Sequence, residues 1–403
     1  MTARLALEDF RRAADLLDGI ADRTPVERSR ALSRLTEGEV WLKCENLQRA
    51  GSFKIRGAYV RMARLSVAEK AQGVIAASAG NHAQGVALAA RELGISAVVC
   101  MPTDAALPKI DATRGYGAEV RLVGASLDES LLAAQAESAR TGAVLIHPFD
   151  HRDIVLGQGT LALELVEQVP LLATVLVPVG GGGFAAGVAE ALHWLRPDVR
   201  VVGVQAAGAA AYPASLAAGH PVSATSMRTM ADGIAVGTPG RLPFEILQRL
   251  EIEIRTVSEE DLSRALLFVA ERAKLLVEPS GAAGVAALMA APRDFPGTVV
   301  AVLSGGNIDP ILLLRVVRHG LVAAGRYLQL RVLLEDRPGA LAALLADLAS
   351  SGGNVMHVGH VRTGINLGVN DVEIDVQLET KGQEHCAQVV ARLRAAGYRV
   401  SEG

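Results

Sequence analysis

The feature that most constrains the fold of this chain is a pattern that occurs three times: a short apolar run, a glycine-rich turn and a segment with helical periodicity. The turns lie at residues 78–82, 180–183 and 304–307. Short, uniformly apolar strands that alternate with helices are typical of a parallel sheet covered by helices on both faces. Such sheets bind ligands at the carboxyl ends of their strands, where the three turns lie. The pattern therefore predicts an α/β fold with a ligand site near the turns.

The length of the chain and a change of pattern near its end predict at least two domains. The 403 residues exceed what one hydrophobic core usually organises. After Gly325, residues 328–400 read as strands and helices in the order β-α-β-β-α-β, which is the ferredoxin-like arrangement. We predict one domain over residues 1–325 and a second over residues 326–403.

Charge and composition exclude several classes of partner. The net charge of −3 provides no basic face for nucleic acid or an anionic membrane. The apolar stretch at residues 171–189 is interrupted by Pro178 and the glycines that follow, so we expect no membrane span there. Cys44, Cys100 and Cys386 are scattered and form no C-x-x-C pair. This usage is typical of reduced thiols, and we expect a cytoplasmic protein.

Lys54 is the strongest candidate for a reactive side chain. It follows Ser52 and Phe53 in an apolar segment with Gly51 and Gly57 on either side. A lysine that loses hydration in such a setting has a lowered pKa and can form a Schiff base with a carbonyl group. The alternative is an ordinary surface lysine.

The four consecutive glycines at residues 180–183 predict an anion site. Backbone N–H groups without side chains can approach a phosphate closely at the start of a helix. Gly180, Gly182 and Ala185 also satisfy the dinucleotide pattern G-x-G-x-x-A, but the next strand ends in Gln205 instead of the expected acid. A bare phosphate is therefore favoured over a dinucleotide, with a tight turn that binds no ligand as the alternative.

The other two turns provide polar groups of a different kind. Residues 78–82 provide backbone donors for a carboxylate and an asparagine amide for a hydroxyl or carbonyl group, and residues 304–307 provide the neutral hydroxyl of Ser304. Helix caps or plain turns are the alternative in both cases. His82, His147 and His151 lack metal-ligand spacing, and the chain has no G-x-S-x-G sequence.

Taken together, Ser52-Phe53-Lys54 and the three turns resemble the pyridoxal-phosphate-dependent threonine dehydratases of fold type II, over roughly residues 1–320. The resemblance implies a catalytic domain of the tryptophan synthase β-like type, with two parallel-sheet lobes and the smaller lobe inserted at about residues 45–150. The segment from Tyr327 onward resembles an ACT domain, a small regulatory module that binds amino acids.

The resemblance assigns pyridoxal 5'-phosphate as cofactor and gives each motif a role. Lys54 would carry the cofactor and act as the base at the substrate Cα, and Ser304 would bond the pyridine nitrogen. Phe53 would pack beside the cofactor ring, and Asn81 would bond its 3-hydroxyl. The phosphate would be bound by Gly180, Gly181, Gly182 and Gly183, and the substrate carboxylate by Ser78, Gly80, Asn81 and His82.

The activity implied by the resemblance is threonine ammonia-lyase, which converts L-threonine to 2-oxobutanoate and ammonia, with side activity on L-serine.

The related serine racemases carry a second serine where this chain has Ala79, so racemisation is disfavoured. Metal-binding carboxylates of some relatives correspond here to Gln205, Ala209 and Ala211, so we predict no metal. Glu278 matches another family position whose role stays open. The alternatives are an L-serine dehydratase or another 3-hydroxy amino acid eliminase, and a non-catalytic amino-acid sensor.

In the C-terminal segment, Asp336, Pro338, Gly339 and Asn354 match positions that often form an ACT effector site. We therefore expect an amino-acid effector, with a purely oligomerising module as the alternative. Edge strands of such sheets commonly pair between subunits, so we expect a homo-oligomer, either a dimer or a tetramer.

Overall fold

The computed structural model describes residues 4–36, 38–362 and 367–402. The chain forms two compact units, Met1–Leu313 and Leu314–Gly403. This division lies within a helix that spans Pro310–Ala323, whereas the sequence pattern places the domain boundary between residues 325 and 326.

Helices and strands alternate through most of the described chain. The helices are α1 (Leu7–Leu17), α2 (Arg30–Thr36), α3 (Lys54–Ala63), α4 (Val67–Gln72), α5 (Asn81–Leu93), α6 (Leu107–Gly115), α7 (Leu127–Thr141), α8 (Arg152–Gln168), α9 (Gly183–Leu195), α10 (Tyr212–Ala218), α11 (Arg241–Arg249), α12 (Glu259–Phe268), α13 (Ala283–Ala290), α14 (Pro310–Ala323), α15 (Ala340–Ser350) and α16 (Gln383–Ala395). The strands are β1 (Val26–Arg28), β2 (Val40–Lys43), β3 (Val74–Ala77), β4 (Ala97–Met101), β5 (Glu119–Leu122), β6 (Val144–Leu145), β7 (Leu172–Pro178), β8 (Arg200–Ala206), β9 (Glu253–Val257), β10 (Thr298–Val302), β11 (Tyr327–Glu335), β12 (Asn354–Val361), β13 (Asp371–Glu379) and β14 (Arg399–Glu402).

The larger sheet of the first unit has the strand order β1-β2-β10-β7-β8-β9. Its strands are parallel except for β1, which pairs antiparallel with β2 at the edge. Strand β10 lies in the middle, with Val299 opposite Val40 on one side and Val300 opposite Val175 on the other. Both faces are apolar, because every residue of β10 is buried. The predicted parallel α/β fold is confirmed here, and the antiparallel edge strand is an addition to it.

The smaller sheet has the order β5-β4-β3-β6 and is entirely parallel within the described residues. Its strands follow β2 and precede β7 in the sequence. Helix α3 packs closely against its neighbours through glycines. A Cβ atom at Gly85 of α5 would be 3.0 Å from the main-chain carbon of Lys54, and one at Gly157 of α8 would be 2.4 Å from the Arg56 oxygen. These contacts fix the position of the helix that begins at Lys54.

A group of buried and half-buried charged residues also holds this helix. Arg56 of α3 donates to both carboxylate oxygens of Glu45 at 2.8 Å and to Glu164 of α8 at 2.6 Å. Lys43 donates to Glu164 at 2.5 Å and to the Thr24 carbonyl at 2.8 Å. Burial alone would raise the pKa of Glu45, but Arg56, Lys43 and Thr24 together outweigh burial and the pKa is lowered. The four side chains therefore neutralise one another inside the protein.

The second unit has the element order β11-α15-β12-β13-α16-β14. Its sheet, of order β12-β13-β11-β14, is antiparallel within the described residues. Buried apolar residues of β11, β13 and both helices form its core. The β-α-β-β-α-β order predicted from the sequence is therefore present in this unit.

Candidate active site

Lys54 lies at the start of α3, next to the carboxyl end of β10. The chain turns sharply before it, with positive φ at Ala50 and Gly51. Ser52 then pairs with Gly305, and the Phe53 N–H donates to the Ser304 carbonyl at 3.2 Å. The lysine segment and the serine turn, about 250 residues apart in the sequence, thus become neighbours through main-chain bonds.

Lys54 is half-buried, and its amine lies beside a main-chain carbonyl and an aromatic ring. Its Nζ donates to the Pro148 carbonyl at 3.2 Å and lies 5.2 Å from the centre of the Phe53 ring. Burial lowers the pKa of Lys54 to about 8, against the opposing charge of Glu278. About a tenth of the amine is then neutral at pH 7, which makes it a usable nucleophile and base.

The Phe53 ring stacks on Phe184, with ring centres 3.9 Å apart and planes 10° from parallel. Phe184 is the first side chain after the four glycines, so the stack joins the lysine segment to the glycine turn. The sequence reasoning missed Phe184. An aromatic residue directly after a run of glycines was the available signal.

The glycine turn between β7 and α9 leaves its N–H groups free. Within the described part of the chain, the N–H groups of Gly180, Gly181 and Gly182 donate to no protein acceptor. A side chain has no room there, because a Cβ at Gly182 would be 1.8 Å from the Tyr212 hydroxyl and one at Gly181 would be 2.4 Å from the Phe149 ring. Gly182 also has φ of +96°. Free N–H groups at the start of a helix suit a phosphate.

Asn81, the first residue of α5, follows β3 of the smaller sheet and bonds to two residues from the part of the chain that forms the larger sheet. Its Nδ2 donates to Glu278 Oε1 at 2.7 Å, and its Oδ1 accepts from Asn307 Nδ2 at 2.9 Å. Glu278 is 4% exposed. Burial and the charge of Asp232 raise the pKa of Glu278 to about 7. The sequence left Glu278 without a role and gave none to Asn307.

The residues predicted to bind the substrate carboxylate lie at the start of α5. The Gly80 N–H donates to Ser78 Oγ at 3.2 Å. His82 is buried and its Nε2 bonds to the Ile146 carbonyl at 2.8 Å. Burial and the charge of Lys54 lower the pKa of His82 to about 3, so its ring is neutral. The His82 Nε2 atom is therefore taken by Ile146, and the Gly80 N–H is taken by Ser78. Within the described residues, the hydroxyl hydrogen of Ser78 and the main-chain N–H groups of Asn81 and His82 remain for a carboxylate.

One of the positions predicted to lack a metal, Gln205, has a structural partner. The Gln205 side chain accepts from the Tyr212 N–H at 2.9 Å and so caps α10. Among the residues that the structure describes, no group of three or more His, Cys, Asp or Glu side chains could hold a metal ion.

In the same ranges, no helix is long and apolar enough to cross a membrane.

The predicted effector residues in the second unit are not all brought together. Asp336, Pro338 and Gly339 line a groove of about 350 Å³, where Asp336 pairs with Arg362 at 2.8 Å. Asn354 lies at the start of β12, at the opposite end of the sheet, and bonds to Glu379 at 3.2 Å. Within one chain, Asn354 is therefore apart from the other three.

The sequence profile of the family described as "Pyridoxal-phosphate dependent enzyme" matches residues 17–305, which include Lys54 and the glycine turn at residues 180–183. The chain belongs to this family. The predicted cofactor, pyridoxal 5'-phosphate, is thereby confirmed. The match ends before the second unit, so the ACT resemblance stays a prediction.

Several proteins with named activities are similar to this one over most of its length. L-threonine ammonia-lyase of Thermotoga maritima is 44% identical over 98% of this chain and 99% of that protein, and L-threonine ammonia-lyase of Geobacter sulfurreducens is 44% identical over 96% and 97%. The catabolic L-threonine dehydratase TdcB of Staphylococcus aureus is 40% identical over 79% of this chain and 93% of its own.

Solved structures of the same family share the fold. The T.th. threonine deaminase is 40% identical with a TM-score of 0.72, and covers 76% of this chain and 99% of its own. Maize serine racemase is 33% identical with a TM-score of 0.74, and covers 78% of this chain and 97% of its own. The fold type II catalytic domain predicted from the sequence is confirmed by these likenesses.

Proposed function

We propose that this protein is a threonine ammonia-lyase that converts L-threonine to 2-oxobutanoate and ammonia, with L-serine as a secondary substrate. The observation that carries the proposal is the amine of Lys54, whose pKa is lowered to about 8, beside three N–H groups that suit a phosphate. The 44% identity to two L-threonine ammonia-lyases over nearly the whole chain supports the choice of reaction.

The residues around Lys54 fit the cofactor of the family. The free N–H groups of Gly180, Gly181 and Gly182 are suited to its phosphate, and Gly183 begins the helix behind them. Ser304, at the end of β10 and 3% exposed, offers a neutral hydroxyl to the ring nitrogen. The stacked rings of Phe53 and Phe184 provide an apolar wall nearby.

Bound pyridoxal phosphate supplies an electron sink that allows an amino acid to lose its Cα proton and then its β-hydroxyl. Lys54 Nζ is the base that accepts the Cα proton, because its lowered pKa leaves a neutral fraction near pH 7. Ser78 and the N–H groups at the start of α5 orient the substrate through its carboxylate. A neutral Ser304 favours an unprotonated ring nitrogen, since it lacks the negative charge that would hold a proton there.

Elimination is favoured over racemisation because of Ala79. Racemisation needs a second acid or base on the face of the substrate opposite Lys54. The methyl group of Ala79 cannot move a proton, although the fold resembles that of maize serine racemase. We therefore propose an eliminase and not a racemase.

The proposal is tested by the visible spectrum of the purified protein with bound cofactor, before and after addition of L-threonine, while 2-oxobutanoate is measured in the same sample. For the wild-type protein, we expect a change of the band together with release of keto acid. We expect Lys54→Ala to lose both, although its circular dichroism spectrum matches that of the wild type and shows that it is folded. Full turnover by Lys54→Ala would refute the assignment. A spectral change with threonine but no keto acid would refute the reaction.

Comparison of threonine with serine tests the substrate. A pocket that accommodates the extra methyl group of threonine gives a preference of about 10-fold to 200-fold in kcat/KM. A preference for serine would identify a serine dehydratase instead. Absence of turnover with any 3-hydroxy amino acid, despite a bound amino acid, would favour the sensor.

For the remainder of the chain we propose a catalytic domain over residues 1–325, with its smaller lobe at about 45–150, and an ACT-type regulatory domain over residues 326–403. The β-α-β-β-α-β order and the groove beside Asp336, Pro338 and Gly339 support a regulatory role. Asn354 lies at the other end of the sheet from these three residues, which is consistent with an effector site that needs a second subunit. We therefore propose a homo-oligomer. We also propose that the protein is located in the cytoplasm.

A further inference from the structure

The Asn81 side chain has both of its ends bound by the larger lobe, although Asn81 itself belongs to a helix of the smaller one. Glu278 Oε1 accepts from Asn81 Nδ2 at 2.7 Å, and Asn307 Nδ2 donates to Asn81 Oδ1 at 2.9 Å. An asparagine amide has two N–H donors and one carbonyl oxygen. Glu278 takes one donor and Asn307 takes the oxygen, so one N–H of Asn81 remains with its direction fixed.

Both partners of Asn81 are themselves fixed by the main chain. Asn307 Nδ2 also donates to the Ala50 carbonyl at 2.7 Å, and a Cβ at Gly51 would be 2.3 Å from Asn307 Oδ1. The Glu278 N–H donates to the Gly305 carbonyl at 3.0 Å, and a Cβ at Gly305 would be 2.6 Å from Glu278 Oε1. Two glycines therefore leave just enough room for these two side chains in their observed positions.

We infer that Glu278 and Asn307 are positioning residues that aim the remaining N–H of Asn81 at the 3-oxygen of bound pyridoxal phosphate. The inference depends on the proposed role of Asn81 and extends it to two residues without an assigned role. A donor held in place before the cofactor binds needs no reorganisation during the reaction.

The charged groups around Glu278 adjust the strength of this arrangement. The charge of Asp232 raises the pKa of Glu278, whereas the charges of Lys109 and Lys54 lower it. An ionised carboxylate is a stronger acceptor than a protonated one. Burial raises the pKa of Glu278 to about 7, so its bond to Asn81 is stronger above neutral pH than below it.

The test is a pH titration of the visible band of the cofactor-loaded protein, without substrate, because the band reports the proton on Lys54 Nζ, the nitrogen that is joined to the cofactor. A donor to the 3-oxygen withdraws negative charge and makes that nitrogen less basic, so loss of the donor raises the midpoint. We expect Asn307→Ala, which changes no charge, to raise the midpoint by about one pH unit.

A matched pair of variants tests Glu278 separately. Glu278→Gln and Glu278→Met both remove the charge, but only glutamine keeps an acceptor oxygen. We expect the Met midpoint to lie about one pH unit above the Gln midpoint, and pyridoxal phosphate to bind several-fold more tightly to the Gln variant than to the Met variant, as measured by equilibrium dialysis. In an Asn81→Ala background, Asn307→Ala is expected to produce no further shift.

Ser280→Ala is the control for local packing, because Ser280 is buried two residues from Glu278 and its hydroxyl has no hydrogen-bond partner in the described residues. Its midpoint is expected to match the wild type. The inference would be overturned if the midpoints of Glu278→Gln and Glu278→Met were equal and the midpoint of Asn307→Ala were equal to that of Ser280→Ala. None of these readouts needs L-threonine, so this failure would be distinct from a failure of the proposed activity.

Discussion

The lowered pKa of Lys54 has a consequence that is measurable on the protein without cofactor. Pyridoxal phosphate reacts with the neutral amine, and burial lowers the pKa of Lys54 to about 8. We expect the rate constant of cofactor loading to rise about tenfold per pH unit below pH 8 and to level off above it. Stopped-flow absorbance measures this rate.

The Glu278→Gln variant provides the control for this pH dependence. The charge of Glu278 opposes the lowering of the Lys54 pKa, so its removal is expected to move the midpoint of the loading rate to lower pH. A loading rate that is constant between pH 6 and 8 would contradict the assignment of this pKa.

Gly182 is required both by its backbone conformation and by its neighbour. It has φ of +96°, and a Cβ there would be 1.8 Å from the Tyr212 hydroxyl. We expect Gly182→Ala to destabilise the protein by more than the roughly 1–3 kcal/mol of left-handed strain and to weaken pyridoxal phosphate binding, as measured by urea unfolding and dialysis.

Gly219 is the matched control for Gly182. It has φ of +76°, but a Cβ there would approach nothing closer than 3.9 Å. Gly219→Ala is expected to cost the strain alone and to leave cofactor binding unchanged. Equal effects of the two substitutions would show that the contact with Tyr212 has no importance.

The sequence could predict those site residues whose signal is local. Lys54 between glycines and the glycine turn at residues 180–183 are each recognisable within about ten positions, because a strand, a turn and a helix start are contiguous. Glu278 and Asn307 act on Asn81 from 197 and 226 residues away. No pattern in one sequence reports a pairing at such a separation, so these two residues required the fold.

At the scale of single elements, helix α3 depends on buried charge. Arg56 is 2% exposed and its partner Glu45 is 0% exposed. Arg56→Met leaves Glu45 buried without this cation, and we expect a loss of about 3–5 kcal/mol in the free energy of unfolding. The shift of the urea midpoint measures it, and loss of cofactor binding is expected to accompany it because α3 carries Lys54.

Arg11 is the matched control for Arg56. It pairs with Glu8 at 3.6 Å on the surface of α1, and both side chains are more than half exposed. Arg11→Met is expected to change stability by no more than about 1 kcal/mol. If Arg56→Met were equally mild, the buried charges would not hold α3 in place.

Element boundaries were predictable where a glycine ends the helix. The sequence pattern after residues 78–82 predicts a helix to about Leu93. Helix α5 does end at Leu93, because Gly94 follows it with φ of +66°. For α14, the sequence pattern that follows Pro310 predicts an end near Arg318. The helix continues to Ala323, since the glycine with positive φ is Gly325. The antiparallel edge strand β1 was not predicted, because three residues are too few for a periodic signal.

At the scale of the whole catalytic unit, an ion pair joins the two lobes. Lys109 of α6 bonds to Asp232, which precedes a glycine packed against Glu278. We expect Lys109→Asp or Asp232→Lys to raise KM for L-threonine by about tenfold, because like charges would separate the lobes. The variant with both substitutions is expected to restore the KM of the wild type. Failure to restore it would show that this ion pair does not hold the two lobes together.

The second unit is expected to be dispensable for catalysis. The catabolic threonine dehydratase of Staphylococcus aureus is similar over 79% of this chain, yet this covers 93% of its own length. A chain that ends at Gly325 is expected to retain turnover of L-threonine and to lose any response to added amino acids. Steady-state assays with a panel of amino acids measure both, and an inactive but folded truncated chain would contradict the proposed division.

The central position of β10 determines when the enzyme can be completed during its synthesis. This strand is translated after the other strands of its sheet, yet it lies between β2 and β7. Until the ribosome has released about 300 residues, β2 and β7 have no neighbour between them and expose unpaired edges. A nascent chain therefore carries Lys54 and the glycine turn without a complete site, and an early termination product would be prone to aggregate and not merely inactive.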